Sequence, residues 1–259
     1  MTNRQIERII KSTAHLVLTD PITVMPKSCG SGCLVIYEGR KLLLSVAHVT
    51  DKMAATCIIT DGPPVDGRTP LYSVGALNYL AAFNIDQIND QLLEIADTSI
   101  RKEDKDFGIV DFSYVRLTHD IPIFQKEITV KDFKVGAGLK EFSSFSFLQR
   151  PQENTEYGFF GRIKPQLIDA IQMFFETQEI YYGGLRFIEK VNHYYKFELP
   201  NIIQDRIDFK GTSGAPIMDS DGNIVSLATH GYTGDNKIYG IALADFKVGV
   251  DASIMTGTI

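Results

Sequence analysis

A serine stands between glycines in Gly211-Thr212-Ser213-Gly214-Ala215-Pro216. Glycines beside a nucleophile let the backbone turn tightly and aim its N–H groups at the place where an oxyanion would form. Ser and Gly also share many ordinary turns, so the segment needs partners before it implies chemistry. A serine hydroxyl is a poor nucleophile until a base takes its proton, and that base must be held in one tautomer by an acceptor. Among five histidines, His48 stands out because it follows Leu42-Leu43-Leu44 and the small residues Ser45-Val46-Ala47. That setting places an imidazole at a strand end, facing a cleft. His15, His119 and His193 lack it and read as surface or partly buried residues. For the acid, Asp106 opens the run Asp106-Phe107-Gly108-Ile109-Val110 with its carboxylate just outside the strand. Asp104 is flanked by charges and reads as solvated, whereas Asp111 lies inside the strand on the opposite alternation from Asp106. Asp106 is therefore the expected acid.

The elements that must position these residues are short. Apolar runs rich in β-branched and aromatic residues recur at 32–37, 41–46, 56–60, 107–117, 194–199, 216–218, 223–229 and 238–243, which predicts many strands in a sandwich or barrel. Asp219-Ser220-Asp221-Gly222 sits between two of these runs and has hairpin chemistry. It is not an EF-hand loop, since the twelfth position from Asp219 is His230 where a bidentate Glu is needed. Three stripes have helical spacing: Ile6, Ile9, Ile10 and Thr13; Ile85, Ile88, Leu92 and Ala96; and Leu167, Ile168, Ile171, Phe174 and Phe175. They predict helical insertions in a mainly β protein, the last apolar enough to cover a cleft or meet a partner. No repeat or low-complexity linker divides the chain, so residues 1–259 are expected to form one compact domain.

Composition removes several classes. With 26 basic and 32 acidic residues the net charge is −6, which argues against general phosphate-backbone binding, so no nucleic-acid partner is expected. No eighteen-residue apolar window occurs, and the first eight residues carry charges where a signal peptide needs an apolar core. The expectation is a cytoplasmic protein with no membrane partner. Cys29, Cys33 and Cys57 have neither CxxC nor Cys/His ligand spacing, so neither a disulfide framework nor a zinc site is suggested. Asp106-Phe107-Gly108 is also a kinase hallmark, but no glycine-rich loop, β3 lysine motif or His-Arg-Asp loop accompanies it.

Taken together, Gly32-Cys33-Leu34-Val35, Leu44-Ser45-Val46-Ala47-His48, Asp106-Phe107-Gly108-Ile109-Val110 and Gly211-Thr212-Ser213-Gly214-Ala215-Pro216 resemble the trypsin-like (chymotrypsin-fold) serine proteases. The motifs follow that family's His, Asp, Ser order, spaced by 58 and 107 residues, and the resemblance spans roughly residues 30–240. It implies two six-stranded antiparallel β-barrels, approximately 14–118 and 119–250, and a serine endopeptidase working through an acyl-enzyme. Ser213 would be the nucleophile, His48 the base and Asp106 its buried acceptor. The N–H groups of Gly211 and Ser213 would form the oxyanion hole. Thr229-His230-Gly231 falls where the family pairs an extended substrate strand. Ile207, six residues before Ser213, falls near the floor of the primary pocket, with Asp205 and Asp208 close by. Neither cofactor nor metal is implied.

Departures from the animal digestive members are equally informative. Thr212 replaces the acid that in those enzymes pairs with a freed N-terminus, and no cysteine follows His48. The chain looks more like an intracellular bacterial or viral branch. A protein or peptide substrate is expected, and gating by a regulatory protein partner is a further expectation. The alternative is a catalytically silent peptide-binding module on the same fold.

Overall fold

A computed structural model describes residues 1–50, 54–63, 65, 69–81, 109–130, 132–169, 174–205 and 209–259. The chain opens with helix α1 (Asn3–Ser12), where Ile6, Ile9 and Ile10 form the buried stripe. The Gln5 side chain accepts the Thr2 N–H at 2.6 Å, satisfying one donor that the first helical turn leaves unpaired. At the far end Thr13 turns the chain into a strand, its hydroxyl donating to Ile9 O at 2.7 Å.

Seven strands follow: β1 (Thr13–Thr19), β2 (Pro26–Tyr37), β3 (Arg40–Ser45), β4 (Ala55–Ile59), β5 (Leu71–Ser73), β6 (Asn78–Ala81) and β7 (Ile109–Arg116). The β2–β3 hairpin turns on Glu38 and Gly39, both at positive φ, the two-residue geometry that matches strand twist. Short pieces β8 (Phe124–Gln125), β9 (Ile128–Val130), β10 (Phe133–Val135), β11 (Gly138–Leu139) and β12 (Ser143–Ser144) lead onward. The rest comprises β13 (Glu156–Asp169), β14 (Phe174–Val191), β15 (Tyr194–Glu198), β16 (Pro216–Asp219), β17 (Ile224–Gly231), β18 (Lys237–Ala242) and helix α2 (Lys247–Met255).

The fold is mainly β, but the two halves differ. The later strands form a closed six-stranded barrel in the order β13-β14-β15-β18-β17-β16, whereas the earlier ones form a curled sheet, β5-β4-β1-β2-β3-β7-β6, with β12 added parallel to β2. Among the described residues this first sheet does not close, which corrects the expectation of two closed six-stranded barrels. Closure of the second rests on Tyr157↔Asp219 and Gly158↔Met218, contacts distant in sequence that strand periodicity does not encode. Inside it Tyr157, Phe159, Leu185, Phe197, Ala215 and Ile217 are buried. Helix α2 returns to the first sheet, where Tyr37 Oη donates to Asp251 at 2.6 Å and Phe112 stacks on Phe246.

Each of the eight strands expected from the sequence overlaps an observed one, although β2 begins six residues before the expected 32–37 and positions 107 and 108 lie outside the described residues. The hairpin at Asp219 is also present, with Asp219 Oδ1 accepting the N–H groups of Asp221 and Asn223 at 2.9 and 2.8 Å. The first helical stripe is helical up to Ser12; the second lies outside the described residues. The third is a correction: Leu167 pairs with Phe175 across the β13–β14 hairpin. Its Ile and Phe residues suit a pleated surface as well as a helix, and tertiary strand pairing decides between the two. No helix among the described residues is long and apolar enough to cross a membrane.

Candidate active site

His48 sits in a single 3-10 turn, Ala47–Val49, directly after β3. Its position follows from strand register. Ser45 pairs with Ser113 of β7, so two residues beyond, position 47 comes level with position 111. There the Asp111 carboxylate meets the imidazole, with Nδ1 at 2.9 Å from Oδ1 and 2.8 Å from Oδ2. The same carboxylate accepts the His48 backbone N–H at 3.0 Å. A carboxylate only accepts, so Nδ1 carries the proton and Nε2 is left as the basic nitrogen.

The expected acid, Asp106, lies outside the described residues, and the carboxylate that the structure places on His48 is Asp111. A signal for it was available. Val110, Phe112 and Tyr114 are buried apolar residues on one alternation of β7, so Asp111 and Ser113 share the opposite alternation. Ser113 Oγ accepts from Thr50, at the end of the His48 turn, at 2.9 Å.

The Ser213 turn is shaped by two glycines that no other residue could replace without displacement. Gly211 has φ +109°, and a Cβ there would come within 2.2 Å of Arg162 O; Gly214 has φ +89°, and a Cβ there would come within 2.0 Å of Ser31 O. Strand β2 holds the turn from its other side. Ser31 N donates to Ser213 O at 2.8 Å, Ser31 Oγ donates to Gly211 O at 2.7 Å, and Ser45 Oγ donates to Ser31 O at 2.7 Å.

These contacts set the direction of two N–H groups. Lys210 O accepts from Lys164 N and Thr212 O accepts from Ala215 N. In a planar trans peptide the following N–H points the opposite way, so those of Gly211 and Ser213 face away from these contacts. Among the described residues neither has a backbone acceptor. Thr212 is hooked by its own hydroxyl to Phe209 O at 2.8 Å.

Ser213 Oγ donates to Thr229 O at 2.8 Å, joining the turn to the strand read as the substrate-pairing edge. Thr229 Oγ1 in turn donates to Tyr239 O at 2.8 Å. Its proton is thereby used, so at its 3.0 Å contact with His230 Nδ1 it accepts. The His230 ring stacks on Tyr239 with centroids 4.8 Å apart, and Tyr194 and Tyr232 meet it edge-on at 5.7 and 5.5 Å. Burial lowers the His230 pKa, Asp111 opposes this, and the His48 ring adds to the lowering; the three side chains thus share one electrostatic neighbourhood. Gly231 is crowded by Ile203. Beyond the Pro216↔Leu227 pair, Ala228 still exchanges backbone bonds with Gly214 and Ala215, and Thr229 O takes the Ser213 hydroxyl. Past these contacts β18 is the only strand beside β17 among the described residues, and the rest of its other edge at 229–231 is available for an added strand.

Ile207 and Asp208 lie outside the described residues, and Asp205 is exposed. The described residues contain no cluster of three His, Cys, Asp or Glu suited to a metal. Cys29, Cys33 and Cys57 are free thiols.

No protein-family model matches the sequence, and no curated protein matches it. Among solved structures, the chain is similar to a serine endoprotease from Yersinia pestis, with a TM-score of 0.54 at 10% identity, over 99% of this chain and 68% of that one. It is also similar to the protein named HBP, with a TM-score of 0.55 at 8% identity, over 96% and 93% of the two chains. At these identities the likeness shows the trypsin-like fold alone.

Proposed function

We propose that this trypsin-like fold carries a working serine endopeptidase whose triad is His48, Asp111 and Ser213. The observation that carries the reading is the Asp111 carboxylate set squarely on His48 Nδ1, which leaves Nε2 as the base. An extended peptide would add to the open 229–231 edge through main-chain hydrogen bonds. Ser213 Oγ would attack the scissile carbonyl carbon while its proton passes to His48 Nε2. The oxyanion would be met by the N–H groups of Gly211 and Ser213. Collapse breaks the C–N bond, and the departing amine takes the proton from Nε2. Water then attacks the acyl ester, Nε2 accepts its proton and returns it to Ser213 Oγ, and the acid product leaves. Ile207 is our proposed pocket floor, favouring an uncharged side chain, since a buried unpaired carboxylate is costly.

One observation favours a second reading. The Ser213 hydroxyl rests on Thr229 O, so attack requires a change of rotamer that exchanges this bond for one to His48. A neutral hydrogen bond contributes about 1 kcal/mol net, an amount that substrate or a partner protein can offset. A protein locked in this rotamer would be a gated enzyme or a peptide-binding module.

Cleavage of a proteome-derived peptide library separates these readings. Internal cleavages made by wild type and lost in Ser213→Ala are expected. Peptide capture without cleavage by the folded wild type would replace the enzyme with the binding module.

A further inference from the structure

Charged side chains from both halves of the chain meet around Arg162. Arg162 of β13 is 9% exposed and Lys140 8%. Arg162 Nη2 is paired with Asp61 Oδ2, just past β4, and Arg162 Nε lies 3.5 Å from Glu179 Oε1 on β14. Lys126 closes the ring. Its Nζ is 2.7 Å from Glu179 and its backbone N–H donates to Asp61 Oδ2 at 3.1 Å. Arg162, Asp61, Lys126 and Glu179 thus connect four segments distant in sequence.

A partly buried ion-pair ring, with Arg162 inside and Lys126 at the surface, adds little stability over an apolar filling, because desolvation offsets the attraction at its inner end and solvent screens the outer one. What it fixes is position. The backbone of Arg162 is the surface on which the Ser213 turn lies: Arg162 O faces Gly211 at the distance that excludes a Cβ, and Gly161 faces Thr212. Two residues on, Lys164 N donates to Lys210 O at 3.3 Å. With Ser31 Oγ holding Gly211 O from the first sheet, the Gly211 peptide is gripped between the two halves.

Resting on the protease reading above, we infer that Arg162 is a positioning residue for the oxyanion donors. Its guanidinium, hydrogen-bonded to Asp61 and in charge contact with Glu179, sets the height of β13 under residues 210–212 and so aims the Gly211 and Ser213 N–H groups.

The test compares wild type, Arg162→Met, Arg162→Lys and Asp61→Asn by amide hydrogen exchange, thermal unfolding, the rate of Ser213 labelling by a fluorophosphonate, and kcat and KM on one peptide. In Arg162→Met, exchange across 209–215 is expected to rise about tenfold or more while β15, β17 and β18 keep their protection. Labelling rate and kcat should fall about 10- to 100-fold, with KM changed less than about threefold. Arg162→Lys, which keeps the charge but loses the fork, should recover part of the loss. Unchanged exchange across 209–215, or a loss of rate that only tracks the unfolded fraction, would overturn the assignment. Should Arg162→Met fail to fold, the isosteric Asp61→Asn carries the same readouts. An unlabelled wild type would remove the protease reading, while the exchange data would still decide whether Arg162 holds the turn.

Discussion

His48 has a carboxylate on one face of its chemistry and an open nitrogen on the other, and Asp111 is what creates that asymmetry. Asp111→Asn should leave the fold intact, because amide and carboxylate have nearly the same shape. It should lower kcat by about 10⁴-fold, since an amide nitrogen facing Nδ1 favours the wrong tautomer. Asp106→Asn should change kcat less than about threefold, as the Asp111 carboxylate already accepts the Nδ1 proton. Steady-state kinetics on both variants check this, and the opposite ranking would return the role to Asp106. Ser213 and His48 were legible in the sequence because small residues and glycines mark their neighbourhoods. Asp111 was signalled only by its alternation against Val110, Phe112 and Tyr114, because a carboxylate inside a strand reads as an outward decoration until the neighbouring turn is known. The Ser213 hydroxyl bond to Thr229 O leaves no trace in residue types at all.

At the scale of elements, the Ser213 turn belongs to β2 as much as to the barrel. Ser31 donates to Gly211 O through its hydroxyl and to Ser213 O through its backbone. Ser31→Ala would strand a buried carbonyl and should cost about 1–3 kcal/mol. Urea unfolding should show a lower midpoint with an unchanged m-value; an unchanged midpoint would mean that another donor replaces the hydroxyl. Strands were legible where alternation was sharp, as at 194–199, and where a short apolar run lay between turn residues, as at 223–229. The hairpin formed by β13 and β14 was not, because Leu167, Phe174 and Phe175 satisfy helical spacing, whereas the hairpin pairs Leu167 with Phe175 and Asp169 with Phe174.

For the whole molecule, pH is the informative variable, because Lys140 and His15 are buried near Arg162. Burial, with Arg162 adding to it, pushes Lys140 down to about 7 from 10.5, and its ammonium donates to Ile10 O at 2.7 Å. Between about pH 7 and 10.5 the unfolded chain binds a proton at Lys140 that the folded chain has given up. Stability from this residue therefore rises with pH across that window and is lost as pH falls toward 7. Burial likewise holds His15 well below 6.5, with Arg162 next in effect, so its contribution is lost as pH falls below 6.5. Lys140→Met should flatten the stability curve between pH 7 and 10 by up to about 1.4 kcal/mol per pH unit relative to wild type. Denaturant unfolding across that range checks it, and parallel curves would contradict it. The mainly β, trypsin-like fold class was legible from motif order, but among the described residues two closed barrels were not what formed. Closure of the second half depends on long-range pairs such as Tyr157↔Asp219, which the sequence pattern does not announce.

The central claim is that Ser213 is a nucleophile activated by the His48–Asp111 pair. The most direct measurement is fluorophosphonate labelling followed by mass mapping of the adduct on wild type, His48→Ala and Asp111→Asn. One adduct per chain on Ser213 is expected in wild type, with labelling at least about 10²-fold slower in both variants. No adduct on folded wild type, or an adduct formed equally fast without His48, would contradict the account.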